Sequence, residues 1–147
     1  MWLHVAAVLL TSFTTPMLHK ECVRVTGQSV LSDKSVELVF GGQVAAVTEI
    51  SEVGYRATFD VERVWKGSVP ARVSLYVPYT QPEGPQFLLA QRRVVLARTV
   101  NDAHIRQVLA IPGSGAFLMA VSCSDPTVLS PDIERELGTS HPPQHVK

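Results

Sequence analysis

The sequence predicts an all-β domain, a small barrel with minor helix. Three observations carry that expectation. Apolar stretches of strand length alternate with turn signals, and 10 prolines and 9 glycines are spread among them, which interrupts the chain too often for long helices. The stretch "YRATFDVERVWKG", residues 55–67, alternates with period two, the mark of a half-buried strand. Gly41-Gly42 sits inside a stretch rich in Val, Leu and Phe, where the missing side chains allow a strand to bulge or bend.

Composition sets the outer bounds. A chain of 147 residues fits one domain with a sizeable core, and 46% hydrophobic residues argue for packing over disorder. Lys+Arg and Asp+Glu are both 13, giving zero formal net charge. Bulk charge therefore draws the chain neither to nucleic acid nor to an anionic membrane.

Residues 1–21 read as an export signal. "MWLHVAAVLLTSFTTPML" is apolar from Trp2 to Phe13 and breaks at Thr14, Thr15 and Pro16. Such a run is short for a membrane span and suits a signal core. No Lys or Arg precedes it and no Ala-x-Ala site follows, so a buried N-terminal helix and an uncleaved anchor remain as competing readings. The expected location is extracytoplasmic, secreted or periplasmic, with no stable membrane span once the signal is cleaved. Cys22 and Cys123 lie at opposite ends of the domain that follows. In an exported chain that placement predicts a disulfide, the alternative being two buried thiols.

The remaining elements follow in order. Residues 29–35 are polar and compatible with a short helical turn, and a strand runs from Val36 through the glycine pair. "SEVG", 51–54, reads as a hairpin loop. In the next strand Tyr55, Ala57, Phe59, Val61 and Trp65 share a face. Arg63 and Val64 break the alternation, so the strand bulges or leaves the barrel there. Gly67 turns the chain. "ARVSLYV", 71–77, alternates again. "PYTQPEGP", 78–85, holds three prolines and is an exposed loop. Val94–Ala97 reads as a strand, Ile105–Ile111 as a weak one, and "AFLMAVSC" as the last. "SPDIERELG" carries a helix signature, with Ser130 as cap, Pro131 at the first position and Gly138 as stop. Residues 139–147 read as a disordered tail. The domain thus spans 22–138, with no internal repeat. About five antiparallel strands and bent sheets favour closure over a sandwich: a five-stranded OB-type Greek-key barrel with a short N-terminal helical turn and a C-terminal helix.

The motifs "VFGGQVAAV", "YRATFDVERVWKGSVPARVSLYV", "VVLAR" and "CSDPTVLS" resemble the netrin-module OB folds, and most closely the bacterial proteins related to the tissue inhibitors of metalloproteinases. The pattern F-x-V-x-x-V-W-K-G is carried by Phe59, Val61, Val64, Trp65, Lys66 and Gly67, and the late cysteine motif by Cys123, Ser124 and Leu129. The likeness covers roughly residues 22–138. It implies a non-enzymatic binding module, with Phe59, Val61, Trp65 and Gly67 as structural residues; the large Trp65 ring reads as a cover for one open end of the core, the alternative being an exposed aromatic anchor for a partner. In the inhibitors the mature chain starts at a cysteine whose amine and carbonyl occupy a protease zinc's open position; Cys22 is the matching residue here. This chain has Val23-Arg24 where the inhibitors continue to a second cysteine, and two cysteines where their N-terminal domain has six.

Three functions are weighed on these grounds. The first is an extracytoplasmic binding module for a protein or glycan, with Tyr79, Gln81 and Glu83 of the proline-rich loop, and Cys22, as candidate contacts. The second is a metalloprotease inhibitor acting through Cys22. The third is an OB-fold binder of nucleic acid or oligosaccharide, disfavoured by the zero net charge. No catalytic residue, metal ligand set or cofactor is expected. "HPPQH", 141–145, spaces two histidines by four, but its prolines forbid the helix that would align them. Asp102 and His104 have no nucleophile tied to them, Ser114 reads as a turn residue, and Arg92-Arg93 with Arg72 or Arg98 forms at most a small basic patch.

Overall fold

The structure is a computed structural model, and it describes residues 22–79, 86–123 and 125–145. It contains five strands: β1 (Leu38–Ser51), β2 (Gly54–Lys66), β3 (Arg72–Pro78), β4 (Arg92–Val100) and β5 (Phe117–Ala120). They close into a barrel in the order β1-β2-β3-β5-β4, antiparallel except where β3 meets β5. This is the expected OB-type arrangement. A 3-10 turn, Gly27–Ser32, precedes it, and two short helices, α1 (Ala103–Val108) and α2 (Pro131–Leu137), complete it.

The period-two stretches build the interior. Tyr55, Ala57, Phe59 and Val61 of β2, Val73, Leu75 and Val77 of β3, and Val95 and Ala97 of β4 form one cluster with Phe40, Phe87 and Ala120. Phe59 is its hinge, edge-on to Phe40 at 5.7 Å and to Phe87 at 5.1 Å. Such pairs add to the area term.

A second cluster lies on the outside of the barrel. It joins Val30, Val36, Val39, Trp65, Val94, Leu96, Leu129 and Leu137, with Val23, Val25 and Ile133 packed against it. Trp65 belongs here and does not share the inner face of Phe59 and Val61. The cause is a bulge: Gly42 opposes Val61 while Gly41 opposes Arg63, so two residues of β2 advance against one of β1. Parity then flips, Val64 turns inward and Trp65 outward. The glycines make this crossing fit. A Cβ on Gly42 would lie 2.5 Å from the Asp60 carbonyl oxygen, and one on Gly41 within 3.2 Å of Leu129 and the Trp65 ring. Gly67, at φ 81, starts the turn after β2; a Cβ there would meet the Glu37 carbonyl at 2.7 Å.

Two further expectations give way. The segment read as a weak strand from Ile105 to Ile111 begins as α1. Asp102 caps it, accepting from the His104 and Ile105 amides at 2.9 and 3.1 Å, and Ile105, Leu109 and Ile111 pack with Val100 and Phe117 in a third cluster. The segment read as a disordered tail is docked over 139–145. His141 exchanges two backbone hydrogen bonds with Val64, both 2.9 Å, and the Gln144 amide donates to Val69 at 2.8 Å. α2 matches its signature: the Ser130 hydroxyl accepts from the Ile133 amide and Gly138 ends the helix at φ 83. Residues 1–21, read as an export signal, lie outside the described residues.

Candidate partner-binding surface

Cys22 and Cys123 form a disulfide across 101 residues of sequence. Cys22 is exposed and Cys123 buried. The segment after Cys22 runs as an extended ribbon beside the chain leaving β5, the Val23 amide donating to the Val121 carbonyl at 2.8 Å. Val23 and Val25 turn into the outer cluster, while Arg24 and Thr26 are exposed. Between this ribbon and residues 125–127 is a small cavity of about 120 Å³, lined by Arg24, Val94, Leu96, Ser122, Asp125 and Thr127 among others. The result is a disulfide-anchored, mixed-polarity edge at the first described residue. A disulfide of this kind fits an oxidising compartment. Among the described residues, no helix is long and apolar enough to cross a membrane.

The proline-rich loop is described only at its ends. Gln81 and Glu83 lie outside the described residues. Tyr79 is half-buried and packs on the inner core, its ring 5.4 Å from that of Tyr55, and its amide donates to the Val53 carbonyl at 2.9 Å. It is therefore a base of the loop more than a free anchor. Tyr55 is fully buried, and its hydroxyl accepts from the Phe87 amide at 3.0 Å, which ties the far end of the loop to the same ring. Burial pushes the Tyr55 phenol up to about 12, with the hydrogen bonds from Phe87 and Gln86 opposing. Tyr79 and Cys22 are thus held separately, Tyr79 against the inner cluster and Cys22 by its bond to Cys123.

A third feature was invisible in the sequence. A cleft of about 510 Å³ lies among Glu62, Arg63, Arg92, Glu134, Ser140 and His141. Two ion pairs span it, Arg63 with Glu134 at 2.8 Å and Arg92 with Glu62 at 3.0 Å. Its residues come from β2, β4, α2 and the docked tail, so no local pattern announces it. Exposed pairs of this kind contribute little to stability. Each sets opposite charges side by side in the cleft.

The remaining candidates resolve into structure. Arg72 pairs with Asp60 at 3.0 Å and Arg92 with Glu62, so two of the four arginines weighed as a basic patch are neutralised. Asp102 is spent on its helix cap. Ser114 is exposed in the turn before β5. Among the described residues, no group of three or more His, Cys, Asp or Glu side chains could hold a metal ion. No family model, curated protein or solved structure matches the chain.

Proposed function

We propose that the protein is a non-enzymatic binding module acting outside the cytoplasm on a protein or glycan partner, of the netrin and TIMP-like kind. The observation that supports it most is the stapled N-terminal edge: exposed Cys22 bonded to buried Cys123, with Val23 hydrogen-bonded alongside. A segment already held in one conformation loses little entropy when a partner docks on it. The resemblance in the strand ending Val64-Trp65-Lys66-Gly67 adds weight, and that motif coincides with the bulge that carries Trp65 to the outer layer.

The exposure of Cys22 also favours a second reading, inhibition of a zinc peptidase. If processing leaves Cys22 first, its amine and carbonyl stand free to enter the metal's open coordination position. Intact-mass spectrometry of the mature protein separates the two: a start at Cys22 favours the inhibitor, a start elsewhere the general module. Both readings expect no turnover in a panel of ester, peptide and glycoside substrates. Turnover that disappears with His104→Ala overturns both.

A further inference from the structure

Only the first half of β1 is paired on both sides. β4 lies beside Leu38–Gln43, and beyond it Val44 makes the last outward contacts, its amide donating to Gln91 and its carbonyl accepting from Ala90, both at 2.9 Å. The chain then turns away: the Gln91 amide returns to Leu88 at 3.2 Å, with Ala90 at φ 67. From Ala45 to Ile50, β1 has β2 on one side and no described residue hydrogen-bonded along the other; at Ser51 the hydroxyl donates to the Leu109 carbonyl at 3.4 Å.

The backbone polarity of that free side follows from the ladder. The Val61 amide donates to Ala71 and the Tyr79 amide to Val53, so the odd residues of β2 direct their backbone groups to β3. Val47 and Glu49 oppose Ala57 and Tyr55, two of those odd residues. Their own amides and carbonyls must therefore point away from β2, into the open edge. Ala46, Val47, Thr48 and Glu49 are all exposed. The edge carries no Pro or Lys to blunt it, the usual protection of an exposed strand.

Apolar exposure gathers at the same place. Of the six exposed large hydrophobic residues among those described, Val47 (39%) lies on this edge and Leu88 and Leu89 (65%) lie at its end. Leu88 and Leu89 sit on the turn where the chain's own pairing stops.

We propose that this edge pairs with the same edge of a second copy, antiparallel about a two-fold axis at Thr48. An isologous contact needs a self-complementary surface, and this register supplies one. Thr48 faces Thr48 of the partner, Val47 faces Glu49, and the two Glu49 carboxylates are kept out of opposition. Val47 and Glu49 exchange backbone hydrogen bonds across the axis, continuing the ladder that Ala90 and Gln91 begin at Val44. The inference does not depend on the identity of the module's partner.

Sedimentation of the purified protein across a concentration range tests it, with Val47→Glu and Val47→Lys as paired variants. The parent forms a concentration-dependent dimer. Val47→Glu sets like charges opposite one another twice per dimer and raises the dissociation constant about tenfold. Val47→Lys sets an ammonium opposite Glu49 and leaves the dimer as tight or tighter. Because Val47 is exposed, both variants keep the parent's melting temperature at concentrations where all three proteins are monomeric. A parent that stays monomeric throughout overturns the proposal, including where a synthetic strand peptide binds the edge instead. Equal weakening by both variants also overturns it, since the axis then lies elsewhere.

Discussion

The barrel interior and the layer outside it are both buried, but they are assembled differently. The inner cluster is built by neighbours in the ladder: alternate residues of β2, β3 and β4 meet because strand pairing brings them together. The outer cluster draws on the N-terminal ribbon, the 3-10 turn, Trp65, β4, Leu129 and Leu137, segments spread from residue 23 to residue 137. The sheet places Val39, Trp65, Val94 and Leu96, with Val39 opposite Leu96. The segments outside it are fastened on by ties that include the disulfide, the hydrogen bond from Trp65 Nε1 to the Gly138 carbonyl at 3.2 Å, and the tail's pairing with Val64. The inner core should therefore be cooperative with folding itself, and the outer layer should depend on its fasteners.

Cutting the disulfide is the strongest way to break that contrast. The Cys22→Ala, Cys123→Ala double variant is expected to lose about 4–5 kcal/mol, the chain-entropy figure for a loop of about 100 residues. The loss is read from the denaturant midpoint at fixed slope. Amide exchange should locate it: the Val23 amide loses protection while Phe59 and Leu75 stay protected up to global unfolding. Uniform loss across both clusters would show that the outer layer is not a separate unit.

Trp65→Ala comes next, at about 3–5 kcal/mol, the range for losing a large buried aromatic. The ring is 8% exposed and contacts the outer cluster. The effect should be largely non-additive with the disulfide deletion, because both act on one layer. Strict additivity in the triple variant would place Trp65 and the disulfide in independent structures.

What the sequence made legible follows the same division. Tyr55–Val61 and Val73–Val77 reveal the inner face because alternation and pairing act on the same period. The Ser130-Pro131 start and Gly138 stop of α2 are equally local. Trp65 lies on the face opposite to the one that alternation predicts because a one-residue bulge reverses parity, and the Arg63-Val64 break marks the bulge without saying which side follows it. Ile105–Ile111 is short and apolar, so its period fits a strand as well as the helix that Asp102 caps. The docked tail binds through backbone groups at His141 and Gln144, which leave no trace in side-chain pattern. The charged cleft could not be read at all, since its residues meet only after the barrel closes.

The smallest effect sharpens the inner side of the comparison. Tyr55→Phe keeps the ring and removes the hydroxyl that accepts from the Phe87 amide, leaving a buried donor unpaired at a cost of about 1–3 kcal/mol. It also carries a pH signature. In the unfolded chain the phenol ionises near its ordinary value of 10.0; in the folded protein burial raises it to about 12. Below pH 10 both states hold the proton and stability is flat. As pH rises from 10 towards 12, the unfolded state gives up its proton while the folded state keeps it, so stability falls; above 12 the slope vanishes. A two-unit shift corresponds to about 2–3 kcal/mol across that window. Tyr76 and Tyr79 are present in both proteins, so the difference between parent and Tyr55→Phe isolates one phenol. Urea midpoints measured from pH 8 to pH 12 should converge, the parent losing its advantage as Tyr55 ionises in the unfolded chain. Parallel curves would mean that the phenol is not held protonated by the inner core, and that the base of the proline-rich loop is open to solvent.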